Sequence, residues 1–308
     1  MPTPLPNTFL IGSMKSGTSY LSELLARHPE IFMSSPREPC HFADGKVLRK
    51  AWPQIWRQGY WRSSARYSSL FAAAGDARII AEGSTVYSQA PLFADIPQRI
   101  LAASPGARFI YIMRDPLERT ISHYWHSVMW WGERRQLAQA IREDPHYLNT
   151  SHYAYQLGIY LRHVPRRRIY VMTLEELLAD PLRHLAALFA WLGVDSTFQP
   201  VLDGAFTNPT PDRVEQARGL GVLNRLRTSP FYHRYGSRIP AWLRSRAVRL
   251  AVREVRTADV PLEAAQAYLR PIQLRQTTEL SGLLARQFPE WTTLFAQSQH
   301  WAVPAPPA

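Results

Sequence analysis

The sequence predicts an α/β fold: a central parallel sheet between layers of helices, with a helical extension toward the C-terminal end. Three observations carry this. Short apolar runs alternate with longer segments of helical period, the order expected of strands joined by crossover helices. Each run is brief and rich in Ile, Tyr and Val, as buried strands are. The first run passes through a turn bounded by Gly12 and Gly17 straight into a helical pattern. A chain of 308 residues that is 46% hydrophobic can bury a core of this kind, which excludes a disordered chain. Its single cysteine excludes a disulfide scaffold and a cysteine-rich metal site.

Taken in order, the first strand is expected over Thr8–Gly12, followed by a helix over 17–27 with Tyr20, Leu21, Leu24 and Leu25 on one face. The next strands fall at Arg78–Glu82, Arg108–Met113 and Arg168–Met172. Helices are expected over 93–103, 117–130, 152–163 and 181–192, the last with Asp180 as N-cap and Pro181 in its first turn. Between them, 51–71 carries Trp52, Trp56, Tyr60, Trp61, Tyr67 and Phe71 with no sustained period. A helical insertion packing its aromatics on the sheet and a binding surface fit that stretch equally well. After Pro200 come prolines, glycines and arginines, then helices over 262–270 and 272–287 and a closing Phe288-Pro-Glu-Trp291. The whole chain, 1–308, reads as one domain: an α/β core over 7–200, a basic loop and helical region over 201–301, and a frayed tail over 302–308.

The formal charge of +12 asks for a polyanionic partner. Of 36 basic residues only Lys15, Lys46 and Lys50 are lysines, so a lysine at a chemically suggestive place stands out. Much of the excess lies between Arg213 and Arg256, which holds eleven arginines against two acids. Within it Pro240 is expected to start a helix with Trp242, Leu243, Leu250 and Val255 apolar and Arg244, Arg246, Arg249, Arg253 and Arg256 basic. A solvated face, a lid over a bound anion, an anionic-ligand surface and peripheral membrane contact are all open for it. The first residues lack the basic-then-apolar order of a signal peptide, and no run of about 18 apolar residues occurs. A cytoplasmic location is therefore expected.

The strongest local signal is Gly12-Ser13-Met-Lys15-Ser16-Gly17-Thr18-Ser19 between strand and helix. Glycines at both ends let backbone N–H groups wrap an anion at the helix N-terminus, a P-loop in outline. In nucleoside-triphosphate enzymes the lysine follows the second glycine and a hydroxyl residue holds magnesium. Here Thr18 takes the lysine position and Lys15 sits inside the loop, which suits an anion held by backbone, hydroxyls and one ammonium without a metal. Strand 108–113 then runs into Arg114-Asp-Pro-Leu-Glu-Arg-Thr-Ile-Ser122. Arg114 emerges at the carboxyl end of a parallel strand, where open α/β sheets bind ligands, and an Arg–Ser pair offers a fork of donors and a hydroxyl to a second phosphate. His123 and His126, three apart, lack the supporting ligands of a metal site, and no metal is expected.

With these segments the chain resembles sulfotransferases that use 3′-phosphoadenosine 5′-phosphosulfate (PAPS), most closely the bacterial and heparan-type carbohydrate branch. Residues 12–19 match the family's 5′-phosphosulfate loop and 114–122 its 3′-phosphate motif. In order along the chain, Pro36-Arg37-Glu38-Pro-Cys-His41-Phe42, Glu82-Gly-Ser84-Thr-Val-Tyr87, Ser151-His-Tyr153-Ala-Tyr-Gln156-Leu157 and Thr173-Leu-Glu175-Glu176-Leu resemble further family segments. So does the ending from Tyr268-Leu-Arg-Pro271 to Trp291, and coverage is nearly complete. Departures are Arg37 for the usual lysine, Pro39-Cys40 in the spacing, Ala43 for a phenylalanine and Val86 for a proline.

The resemblance implies sulfuryl transfer from PAPS to an acceptor hydroxyl or amine, most readily on a carbohydrate, releasing adenosine 3′,5′-bisphosphate without a metal. A lipid, phenol or natural-product hydroxyl is the alternative acceptor. Lys15 would stabilise the leaving oxygen, Ser16, Gly17, Thr18 and Ser19 would donate to the 5′-phosphate, Arg114 and Ser122 would hold the 3′-phosphate, and Ser13 and Tyr153 are further donor-binding candidates. Glu38 is the first candidate for the base and His41 the second; Glu38, His41 and Glu82 are the candidate acceptor contacts. A magnesium-dependent kinase and a nucleic-acid-binding protein are the rival readings; the first wants a lysine beside Thr18, the second an aromatic-interleaved basic surface.

Overall fold

In a computed structural model, the structure describes residues 5–202, 211–217 and 252–296. Five parallel strands form the sheet: β1 (Thr8–Gly12), β2 (Ile31–Met33), β3 (Ile79–Gly83), β4 (Arg108–Met113) and β5 (Ile169–Thr173), in the order β2-β3-β1-β4-β5. The fold class is the expected three-layer α/β arrangement. The period of two is visible on β4. Phe109, Tyr111 and Met113 enter one core cluster, while Ile110 and Ile112 enter another on the opposite face. Against the second face pack α1 (Thr18–Ala26), through Leu21, Leu24 and Leu25, and a helix over Pro181–Leu192, through Leu185, Leu188, Phe189 and Leu192.

Along the chain the remaining helices are α2 (Gly45–Ala51), α3 (Pro53–Gln58), α4 (Ser64–Ser68), α5 (Ile96–Ala103), α6 (Pro116–Trp131), α7 (Leu137–Glu143), α8 (Pro145–Ser151), α9 (Tyr153–Leu161) and α10 (Leu174–Ala179). The helix at Pro181–Leu192 is α11, and α12 (Glu263–Leu284) and α13 (Thr292–Phe295) close the described chain. In the aromatic stretch Trp52, Tyr67 and Phe71 are core residues, and Trp52 with Ile55 also lines a cleft at the sheet's carboxyl edge.

Three expectations are corrected. The edge strand β2 is absent from the sequence reading, because three residues of Ile-Phe-Met carry no readable period. The two helices expected on either side of Pro271 are one. Its buried residues Ala265, Leu269, Gln273, Thr277 and Leu280 form a continuous stripe, and Pro271 faces solvent, so the ring interrupts the helix on the side that does not pack. The helix expected from Pro240 does not extend through Arg253, Val255 and Arg256. Residues Val252–Arg256 form β7, antiparallel to β6 (Arg213–Ala217), with Val255 opposite Val214. The rest of that basic stretch, 218–251, and the tail at 302–308 lie outside the described residues.

The C-terminal segment completes the layer that carries the cleft. Trp291 is fully buried, stacked on Phe288 at 4.3 Å and tilted against Tyr153 at 5.7 Å. From the next turn, the Leu294 N–H donates to Asp115 Oδ2 at 2.8 Å and the Thr293 hydroxyl to Glu118 Oε1 at 2.7 Å. Asp115 is itself the N-cap of α6, accepting from the N–H groups of Leu117 and Glu118. Trp291→Ala should therefore cost about 3–5 kcal/mol in a urea melt, as for large aromatic truncations in a core, and loosen the start of α6. An unchanged midpoint would show that the segment is an appendage.

Candidate active site

The site is made where β1 and β4, neighbours at the centre of the sheet, both end. Ser13 N–H donates to the Ile112 carbonyl at 2.6 Å, so the loop leaves β1 still tied to β4. The loop then turns through two left-handed residues, Lys15 at φ +67° and Gly17 at φ +86°, before α1 starts at Thr18. Glycine adopts that conformation freely, whereas the lysine pays for it, on the order of 1 kcal/mol. Such curled backbone is what lets successive N–H groups converge on an anion. Gly12 is required for a different reason: at φ +142°, a Cβ there would lie 2.1 Å from Ser88 Oγ.

A cleft of about 450 Å³ opens over this loop. Lys15, Gly17, Thr18 and Ser19 line it from the loop, Arg114 and Ser122 from the start of α6, and Glu38 and Thr85 from the β3 side. Trp52, Ile55, Met129, Trp130 and Trp131 form its outer, apolar wall. The two phosphate motifs inferred from sequence thus face one space. Burial, reinforced by Arg114 and then Arg119, holds the Lys15 ammonium below the usual lysine range. Like charges gathered in this way are costly by themselves and favour an anion between them.

Arg114 is partly buried and forked onto Glu118 Oε2 through Nε (3.2 Å) and Nη2 (2.7 Å). Behind it the Tyr153 hydroxyl donates to the Arg114 carbonyl at 2.7 Å. Tyr153 is buried and does not line the cleft; it fixes the backbone of the residue that does. Ser13 and Ser16 are also buried, and the Ser13 hydroxyl turns to the Thr150 carbonyl at 3.4 Å, away from the cleft.

Glu38 is partly buried at the cleft wall. Its carboxylate accepts from Thr85 twice, from the N–H at 2.8 Å and from the hydroxyl at 3.0 Å. Burial raises its pKa to about 7, against the pull of those two hydrogen bonds. His41 lies outside the cleft lining: its ring stacks on Tyr67 at 4.1 Å and its Nδ1 donates to the Tyr60 carbonyl at 2.7 Å. Glu82 is fully buried behind them, accepting from the Tyr67 hydroxyl at 2.6 Å. Residues that sequence reasoning missed are Thr85, which orients Glu38, and Arg119 on α6. His126 lines the cleft as a neutral imidazole, its pKa pushed down to about 4 by burial and by Lys15. Arg119 lies beneath the loop. The spacing of Arg119, Ser122, His123 and His126, one stripe of a helix, was the available signal.

Similarity to known proteins now bears on this geometry. The family model described as "Sulfotransferase family" matches residues 6–199, which include the loop, Glu38, Arg114 and Ser122. The chain belongs to the sulfotransferase family. Its sulfotransferase relatives include the membrane-associated sulfotransferase kil1 of Dictyostelium discoideum, 32% identical over 126 residues, covering 41% of this chain and 24% of that protein. The human heparan sulfate glucosamine 3-O-sulfotransferase 3B1 is 29% identical over 199 residues, covering 62% of this chain and 46% of the relative. The chain thus spans less than half the length of either. Among solved structures, a sulfotransferase from Alicyclobacillus acidocaldarius superposes with a TM-score of 0.64 at 22% identity, over 94% of this chain and 99% of that one, which shows the shared fold. No helix among the described residues is long and apolar enough to cross a membrane. Nor, among those residues, are three His, Cys, Asp or Glu side chains grouped to hold a metal ion.

Replacing Tyr153 by Phe removes the donor to the Arg114 carbonyl and leaves the ring packing intact. It should weaken binding of adenosine 3′,5′-bisphosphate roughly fivefold, about 1 kcal/mol, with little loss of melting temperature. Equal affinity in a calorimetric titration would dismiss the Tyr153–Arg114 tie as a determinant of the site.

Proposed function

We propose that this sulfotransferase moves a sulfuryl group from PAPS to an acceptor hydroxyl or amine on a carbohydrate, releasing adenosine 3′,5′-bisphosphate. The observation that carries it is the convergence of Lys15, Arg114 and Ser122 with Glu38 on one cleft. Lys15 of the loop facing Arg114 suits a polyanion, and the lysine's place inside the loop suits a departing oxygen better than a magnesium–triphosphate. When bound, the donor supplies the sulfuryl group and a bisphosphate leaving group. Backbone N–H groups of Gly17, Thr18 and Ser19 and the hydroxyls of Thr18 and Ser19 are assigned to its 5′-phosphate, with Ser16 buried behind them, and Arg114 with Ser122 to its 3′-phosphate. Lys15 stabilises negative charge growing on the leaving oxygen, the kind of preorganised electrostatic term that contributes most to such transfers.

The proton of an acceptor hydroxyl goes to Glu38, held in one orientation by the two Thr85 donors. His41 is the weaker candidate, since its ring is spent on Tyr67 and Tyr60. Glu82 is assigned a supporting place behind Tyr67 rather than an acceptor contact. A carbohydrate acceptor draws support from the heparan-type relatives, which act by name on a glucosamine unit, and from Trp52, Trp130 and Trp131 along the outer cleft, faces on which sugar rings stack. The same wall also favours the apolar body of a lipid or phenol as the second acceptor class.

Lys15→Ala should lower turnover on the order of a hundredfold or more while adenosine 3′,5′-bisphosphate still binds. Near-full transfer of labelled sulfate by that variant would remove Lys15 from the chemistry. A thermal shift with the bisphosphate and none with ATP–Mg²⁺ is expected, and the reverse would favour a kinase. For the base, the carboxylate form is the active one, so the rate should rise with pH through about 7, set by the raised pKa of Glu38. Glu38→Gln should abolish that rise along with most of the activity. A wild-type profile flat between pH 6 and 8 would exclude Glu38 as base.

A further inference from the structure

Arg119 sits on α6 five residues beyond Arg114 and has no exposed surface. All five of its N–H groups point at neutral acceptors. Nε meets the Ser151 hydroxyl; one terminal nitrogen meets the Met14 carbonyl at 3.5 Å and His123 Nδ1 at 3.3 Å; the other meets the Tyr147 carbonyl at 2.6 Å and the Thr120 hydroxyl at 3.4 Å. With its donors used up in this way, the guanidinium is hydrogen-bonded but its charge is not neutralised. Among the described residues, ion pairs are made by Arg114 and other arginines and not by Arg119. A buried cation without a countercharge is among the more costly arrangements a fold can hold. This one lies under the loop that carries Lys15 and beside the strand end that carries Arg114. Its hold on Met14 ties it to the loop directly.

We propose that Arg119 is a positioning residue for the nucleotide donor, whose phosphates are the countercharge its buried guanidinium lacks. The inference rests on the phosphorylated-nucleotide reading of the cleft given above. Arg119 touches no ligand; it acts through the loop, holding the Met14 carbonyl from below and adding a fixed positive potential where the anion sits. A fixed charge in a dry site costs no reorganisation when the ligand arrives and is little weakened by salt. The alternative is a purely structural tie between α6, α8 and the loop. It would use the same hydrogen bonds but would be indifferent to the charge of the ligand.

The two roles separate with Arg119→Gln, which keeps amide donors without charge, and Arg119→Lys, which keeps charge without the fork. For each, calorimetry gives the affinities for adenosine, adenosine 5′-phosphate and adenosine 3′,5′-bisphosphate, alongside the ligand-free melting temperature. The Gln variant should lose affinity progressively along that series, on the order of tenfold or more for the bisphosphate, because an electrostatic loss scales with ligand charge. The Lys variant, titrated at pH 6 where a buried ammonium keeps its proton more readily, should lie closer to wild type than Gln does for the bisphosphate. A loss equal for all three ligands, or a Lys variant as impaired as Gln, would overturn the proposal in favour of the structural tie. Should the Gln variant fail to fold, the Lys variant decides: a loss confined to the charged ligands supports the proposal, and a loss equal for all three overturns it. Failure of the unmodified protein to bind the bisphosphate would instead overturn the nucleotide reading itself, a result distinct from either.

Discussion

The pairing of β1 with β4 is the constraint on which the rest depends. Because the two strands run parallel and side by side at the middle of the sheet, their carboxyl ends open on the same edge. The Ser13–Ile112 hydrogen bond continues the ladder one step past the strand, so the turn that follows cannot drift from Arg114. β3, the neighbour on the other side, brings the third contribution: Glu38 N–H is tied to the Gly83 carbonyl at 2.9 Å, and Thr85 follows two residues later. Loop, arginine and carboxylate therefore converge because of strand order, although they are far apart in sequence.

Much of this was legible beforehand because it rests on local patterns. β4 was expected over its observed span, and β1 likewise, since both are short, bounded apolar runs. The glycine pair around Lys15 announced the loop, and an arginine at a strand end announced its partner site. What stayed hidden depends on tertiary context. Three residues suffice for β2 only because β3 offers an edge to pair with. Pro271 looked like a helix end because sequence does not show which way its ring faces. β7 reads as part of an arginine-rich helix until β6, about forty residues earlier, pairs with it. Glu38 stands ahead of His41 as base only by resemblance on paper, and the stacking of His41 on Tyr67 and the exposure of Glu38 to the cleft set them further apart.

The charge excess also divides differently once the structure is in view. Among the described residues, Arg114 is the arginine that lines the cleft. The cations placed there are Lys15 and Arg114 at its surface and Arg119 beneath, and burial distinguishes them more than number does. Across from them Glu38 on the cleft wall and Glu82 buried behind it are both raised to about 7, chiefly by burial. They face different surroundings, one a cleft and one the phenol of Tyr67. The site thus sets a polarised pair of walls, cationic around the loop and weakly acidic across from it.

The hydrogen bond from Leu294 to Asp115 has a consequence for how the chain comes to be competent. The family match ends at residue 199, yet the cap of the helix that presents Ser122 is completed by a residue almost a hundred positions later. Without that segment Asp115 Oδ2 loses its donor and Tyr153 loses Trp291 beside it. The segment that the family model matches is in this sense shorter than the segment that builds the site, and a fragment cut at residue 199 would carry the motifs without the support that orients them.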